Sequence, residues 1–383
     1  RSVVGYLKSF CVAGSVAVLQ ANSCSGFAQL KNGAPSVAKE IRINGAGTQD
    51  AKVAYRSMHV DIEEYGVSVP VAMWFPLEKS VANDKVDGAT PLTNPKVTYN
   101  HDISVRRIGE LLAGWKFIPT FAKKSFQLSP TLPYGSVVSG EGLKNNLPSS
   151  GPVVYLAHGY LGSRFDLSHL AEELAQQGFI CISPEYPESL SASYQRFEGL
   201  DRERITSQIV DDLSCKWNIQ ATARGIVGHS LGCGTVISTG DDSWARVCLA
   251  GFTRRFDGTP VPGNVLFLSS MNDGTISFSK FGGKAAIPSD VVQLEETELS
   301  ELAEIPPRST VVFDRPDAPN HISFLSEGVN DAMIDFLSPL LPVAEALQIP
   351  VLDFDKYKAS RDSKATADVV IPLVCNYLRQ QML

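Results

Sequence analysis

The 383-residue chain contains seven cysteines but no Cys-x-x-Cys pair. Zinc-binding and thioredoxin-like chemistry therefore have no support. Cys181, Cys233, Cys248 and Cys375 stand in apolar runs, where cysteine behaves as a small buried hydrophobe. An excess of positive charge is also missing. The formal net charge is −7, which argues against nucleic acid as a partner. No glycine-rich phosphate cradle and no cluster with metal-ligand spacing occurs, so no cofactor is implied. Internal repeats are absent. With 44% hydrophobic and 20% charged residues, the balance is that of an ordinary globular protein. The length allows one large α/β domain or two ordinary ones.

What is present begins with an apolar stretch over residues 3–21, preceded by Arg1 and followed by the small residues Ser23-Cys24-Ser25-Gly26-Phe27-Ala28. Residues 1–28 are expected to be a signal or targeting segment, since a basic flank, an apolar centre and a small-residue exit are its marks. The apolar centre is too short to make a convincing membrane span. The expected route is the secretory pathway. The alternative is a plastid reached by a bipartite signal, because Cys24-Ser25-Gly26-Phe27-Ala28 resembles an algal plastid cleavage signature. Residues 29–58 lack apolar periodicity and read as a linker or transit-like segment. A single domain is expected over 59–383, with an insertion at 101–150. Within that insertion, residues 101–128 interleave Trp115, Phe117, Phe121 and Phe126 with Arg106, Arg107, Lys116, Lys123 and Lys124. Such a stretch reads as a helix packed on the core, a cap over a site, or a peripheral membrane contact.

From residue 152 onward a strand–helix rhythm takes over. Pro152–Ala157, Phe179–Ser183, Arg224–Gly228, Arg246–Phe252, Asn264–Ser269 and Thr310–Phe313 are short continuous apolar runs, as expected of strands buried on both faces. Val67–Trp74 is an earlier strand, ending at Phe75-Pro76. Helical periodicity covers Asp166–Gly178, residues 202–216 and Leu231–Thr239. The alternation predicts a mostly parallel central sheet with helices on both faces, and together with the Gly228–Gly232 turn between strand and helix the expectation is an α/β-hydrolase fold with an inserted helical segment.

The chemistry centres on Gly228-His229-Ser230-Leu231-Gly232, placed between a strand and a helix. That is the setting of a nucleophile elbow, whose turn is so sharp that a Cβ at either glycine would strike neighbouring backbone. The general base must follow, and of the six histidines only His321 lies after Ser230. Its orienting acid should come from a loop between the two. Asp273, after the Asn264–Ser269 strand, is the first choice, and Asp257 is the rival. Backbone N–H groups of Leu231 and Tyr160 would form the oxyanion hole, Tyr160 lying in His158-Gly159-Tyr160-Leu161-Gly162. His158 is expected to tie that loop down. In this reading His321 takes the Ser230 proton and Asp273 fixes the imidazole tautomer.

These residues give the chain a resemblance to the calcium-independent platelet-activating-factor acetylhydrolase family. The resembling segments are the strand ending Trp74-Phe75-Pro76, the run 158–194 (HGYLGSRFDLSHLAEELAQQGFICISPEYPESLSASY), residues 202–213 and the elbow GHSLGCGTVIST at 228–239. The resemblance implies a lipid-ester hydrolase acting on short or oxidised phospholipid acyl chains, with Ser230, His321, Tyr160 and Leu231 in the roles above. One departure leaves the acid open between Asp273 and Asp257. In that family it follows the strand next after the elbow helix, and the matching Cys248–Phe252 has no aspartate. The His-Gly-Tyr loop is also similar to chlorophyllases, which makes phytol cleavage a second reading. A catalytically silent binding protein is the third.

Overall fold

Continuous apolar runs become strands because a segment buried on both faces has no polar side to show. The computed structural model describes residues 52–77, 97–139, 147–251, 261–276, 283–299, 302, 304–338 and 360–383. The expected leader, most of the expected linker and the rival acid Asp257 lie outside them. The chain opens with the antiparallel pair β1 (Val53–Ile62) and β2 (Val67–Pro76). It continues through β3 (Tyr99–Ser104), α1 (Val105–Ala113), β4 (Lys123–Leu128) and the short β5 (Val137–Val138). The alternating part follows: β6 (Ser150–Ala157), α2 (Ser168–Gln176), β7 (Ile180–Pro184), α3 (Arg202–Cys215), β8 (Gln220–His229), α4 (Gly232–Ser238) and β9 (Ala245–Leu249). Then come β10 (Val265–Ser270), β11 (Val292–Leu294), β12 (Ser309–Phe313), α5 (Glu327–Leu337) and α6 (Ser363–Met382).

Ten strands form one sheet in the order β11-β12-β10-β9-β8-β6-β7-β2-β1-β5. Only β2 runs against its neighbours, β1 and β7. The strands from β6 to β12 are mutually parallel, so their carboxyl ends share one edge of the sheet. Alternate side chains feed two cores. Val154, Leu156, Val227 and Val247 pack with Leu170 and Leu174 of α2 and Val374 and Leu378 of α6. Val153, Tyr155, Ile226 and Phe267 pack with Ile205, Ile209 and Leu213 of α3. Helices therefore cover both faces, and the architecture is the α/β-hydrolase fold.

Two sequence expectations need correction. Residues 53–58 are not linker but the first half of β1, whose Val53, Ala54 and Val60 are fully buried. The 101–128 segment is not one amphipathic helix either. Its ends pair as the antiparallel hairpin β3–β4, with His101 opposite Phe126 and Ser104 opposite Lys123. Only α1 between them is helical, capped by the Ser104 hydroxyl accepting from Arg107 N–H and closed by left-handed Gly114. Among the described residues no helix is long and apolar enough to cross a membrane.

Candidate active site

The strand β8 runs into α4 through Ser230, whose φ is +54°, a left-handed conformation that costs a non-glycine residue energy. The turn tolerates no Cβ on either side. One at Gly228 would lie 2.4 Å from the Gly232 carbonyl oxygen, and one at Gly232 would lie 2.1 Å from that of Ala157. Both obstacles are backbone and cannot swing away. The strain is held by two hydrogen bonds: Ser230 N–H donates to Leu249 O at 2.9 Å, and Cys233 N–H donates to Ser230 O at 2.9 Å.

Ser230 Oγ–H lies 2.8 Å from His321 Nε2 and is positioned to donate to it. The other ring nitrogen, Nδ1, donates to Asp273 Oδ2 at 2.8 Å. Both His321 and Asp273 are buried. The second carboxylate oxygen, Oδ1, accepts from the N–H groups of Thr275 (2.9 Å) and Ile276 (2.7 Å). The structure thus brings together Ser230, His321 and Asp273 from the ends of β8, β12 and β10.

The loop bearing His321 is fastened at several points. Asn320 Oδ1 accepts from Ile322 N–H and Ser323 N–H. The Ser270 hydroxyl donates to Pro319 O, and Asn272 Nδ2 donates to the carbonyls of Pro316 and Ala318. His229, next to the nucleophile, donates from Nε2 to His321 O at 2.8 Å. Burial, and then the neighbouring His321, depress its pKa to about 3, so His229 is a neutral donor. The sequence singled out none of these fastenings. The neighbourhood of His229 to Ser230 was its only visible clue.

The His158–Gly162 loop lies against the nucleophile. A Cβ on Gly159 would sit 3.2 Å from Ser230 Cβ and 3.0 Å from His229 Nδ1. The turn that leads into Tyr160 therefore packs against the elbow, and Leu231 stands at the start of α4. The His158 ring ties the loop down: Nδ1–H donates to Gly159 O at 2.8 Å, and Nε2 accepts from Tyr186 N–H at 2.9 Å. Burial and the nearby Arg202 push its pKa far below the usual value, so it stays neutral in this tautomer. The Tyr160 hydroxyl donates to Leu111 O of α1, linking this loop to the insertion. Among the described residues no three His, Cys, Asp or Glu side chains converge as metal ligands.

No family model matches the sequence, and no curated protein is significantly similar to it. Solved structures to which the chain is similar include a ferulic acid esterase from Streptomyces cinnamoneus, at 16% identity and TM-score 0.43, covering 88% of this chain and 91% of that one. A dienelactone hydrolase-like promiscuous phosphotriesterase from metagenomic libraries shares 12% identity at TM-score 0.40, over 86% of this chain and 100% of its own. A cold-adapted esterase from an Arctic intertidal metagenomic library shares 14% at TM-score 0.35, over 75% and 94%. At such identities no chemistry transfers, and what the site can do follows from its own atoms.

Proposed function

We propose that this protein is a serine carboxylic-ester hydrolase. The observation that carries this reading is the relay Ser230–His321–Asp273, joined by two 2.8 Å hydrogen bonds behind a strained elbow. Ser230 attacks the ester carbonyl while His321 accepts its proton, and Asp273 holds the imidazole in the required tautomer and stabilises the imidazolium. The N–H groups of Leu231 and Tyr160 face the oxyanion. His321 then protonates the leaving alcohol, and water activated by the same ring releases the acyl group. Ser230→Ala is expected to abolish ester hydrolysis and fluorophosphonate labelling while leaving the fold intact. Labelling retained at another serine would refute the assignment.

For the substrate we propose a lipid ester, of the kind in which a short or oxidised acyl chain leaves a glycerophospholipid. Support comes from the segment after α1. Phe117 and Phe121 are 78% and 82% exposed, and Trp115 is 37% exposed. They follow directly on the helix that Tyr160 grips through Leu111. A lipid esterase gains from aromatic side chains that enter the acyl–headgroup boundary near its site. Less free charge accompanies them than the sequence implies. Arg107 is buried, donating to Pro187 O and Ser189 O, Arg106 pairs with Glu110, and Lys123 pairs with Asp102. The peripheral contact proposed here is therefore mainly apolar. Mass-spectrometric analysis of products released from phospholipids, chlorophyll and simple esters tests the substrate class, and chlorophyllide as the main product would favour the chlorophyllase-like reading.

A further inference from the structure

The guanidinium of Arg202, at the start of α3, reaches across the back of the site. Nη1 donates to His158 O at 2.9 Å and Nη2 to Gly159 O at 3.4 Å. Nη1 also lies 3.4 Å from the Thr235 hydroxyl on α4. Its charge is balanced by Glu188, whose Oε2 accepts from Nε at 2.9 Å, and the two side chains are only 12% and 9% exposed. Its flat face lies 4.5 Å from the centre of the Tyr186 ring. A surface arginine would have none of this. Here both Nη atoms are used on one spot, the underside of the His158–Tyr160 turn, while Nε holds Glu188.

The consequence follows from peptide planarity. In a trans peptide the C=O and the N–H of the next residue point in opposite directions. The Gly159 carbonyl is drawn toward Arg202 and His158 Nδ1, so Tyr160 N–H is turned to the opposite side. A Cβ on Gly159 would lie 3.2 Å from Ser230 Cβ, so this peptide packs beside the nucleophile. Thr235 rides on the helix that begins beside Leu231, which supplies the other donor. A single rigid fork therefore fixes one oxyanion donor in direction and ties it to the element carrying the second. We infer that Arg202 is a positioning residue that sets the oxyanion hole by orienting the Gly159–Tyr160 peptide. This rests on Ser230 being the nucleophile and on Tyr160 and Leu231 as oxyanion donors. The planar, bidentate geometry is one that lysine cannot reproduce.

The test is the second-order rate of Ser230 labelling by a fluorophosphonate, with kcat and KM on a soluble p-nitrophenyl ester beside it. Phosphonylation builds negative charge on the phosphoryl oxygen and reads the hole without any assumption about the natural substrate. The variants are Arg202→Lys, which keeps the charge near Glu188, and Arg202→Met with Glu188→Met, which removes the buried pair together and leaves no lone carboxylate. Both labelling and kcat are expected to fall by roughly 10- to 100-fold, somewhat less than the loss of a whole oxyanion donor. KM and the acid limb of the pH–rate profile should hold, because His321 and Asp273 are untouched. A folded variant pair with unchanged labelling and kcat would overturn the role, as would a loss confined to KM or a displaced acid limb. Failure of both variants to fold would likewise make Arg202 a structural residue. Absence of labelling in the wild-type protein would instead refute Ser230 as nucleophile, and the inference with it.

Discussion

At Asp273 one carboxylate serves a turn and a histidine together. Oδ1 accepts the N–H groups of Thr275 and Ile276, while Oδ2 accepts His321 Nδ1–H. This division predicts the effect of Asp273→Asn. The two backbone donors still need an acceptor, so the asparagine carbonyl takes that side and its NH₂ faces His321. Nδ1 must then be bare, the proton moves to Nε2, and Ser230 loses its base. Kinetics on a soluble ester should show kcat down about 10⁴-fold with the melting temperature little changed. A loss under tenfold would remove Asp273 from the orienting role. A second residue-scale prediction concerns His169 on α2, whose burial lowers its pKa from 6.5 to about 4. Below pH 6.5 the unfolded chain takes up a proton that the native site refuses. The stability it contributes is thus complete above 6.5 and falls as pH drops toward 4. His169→Leu should gain on the wild type by up to about 3 kcal/mol between pH 7 and pH 4. Denaturant titrations at several pH values measure this, and a difference independent of pH would contradict it.

At the scale of elements, the elbow offers two glycines in one short helix with opposite requirements. Gly232 has the Ala157 carbonyl 2.1 Å from where its Cβ would be, whereas Gly234 has nothing within 4 Å. Gly232→Ala is expected to cost more than about 3 kcal/mol or to prevent folding, because backbone must move. Gly234→Ala should be neutral or stabilise by up to about 1 kcal/mol through helix propensity. Equal effects in thermal denaturation would mean the elbow is looser than described. The elements also mark what was readable. Strands β6, β7 and β10 announce themselves as short apolar runs, and β8 does so only in its second half, Gly225–Gly228. β1 does not, because it alternates buried and exposed residues and carries Arg56, Ser57 and His59 among its apolar positions. α6 is obscured by Pro372 within its length, although Val374 and Leu378 are core.

For the molecule as a whole, the sheet gathers three loops at one edge and leaves the tip after α1 projecting with Trp115, Phe117 and Phe121. The lipid-surface reading predicts a split. Replacing Phe117 and Phe121 by serine should weaken binding to phospholipid vesicles several-fold and slow hydrolysis of aggregated lipid. Hydrolysis of a small soluble ester should hardly change, since the relay is untouched. Vesicle sedimentation and parallel kinetics give the comparison, and an equal loss on both substrates would assign the tip to structure.

The sequence by itself determined the elements whose cause is local. A buried strand needs an apolar run, a sharp strand-to-helix turn needs Gly228 and Gly232, and a nucleophile elbow leaves His321 as the sole later histidine. It narrowed the acid to two loops, because any aspartate in a turn looks alike along the chain. Only the tertiary structure decided that Asp273 reaches His321, that His229 fastens the His321 backbone 92 residues away, and that Arg202 grips the underside of the His158–Gly162 loop. It also split 101–128 into a hairpin and a short helix and buried Arg107, which the sequence shows only as one more cation. The physical reason is common to all of these. An arginine, an aspartate or a histidine can serve many partners, and its type does not say which. The choice is made by distances of a few ångströms that exist only once the strands have packed.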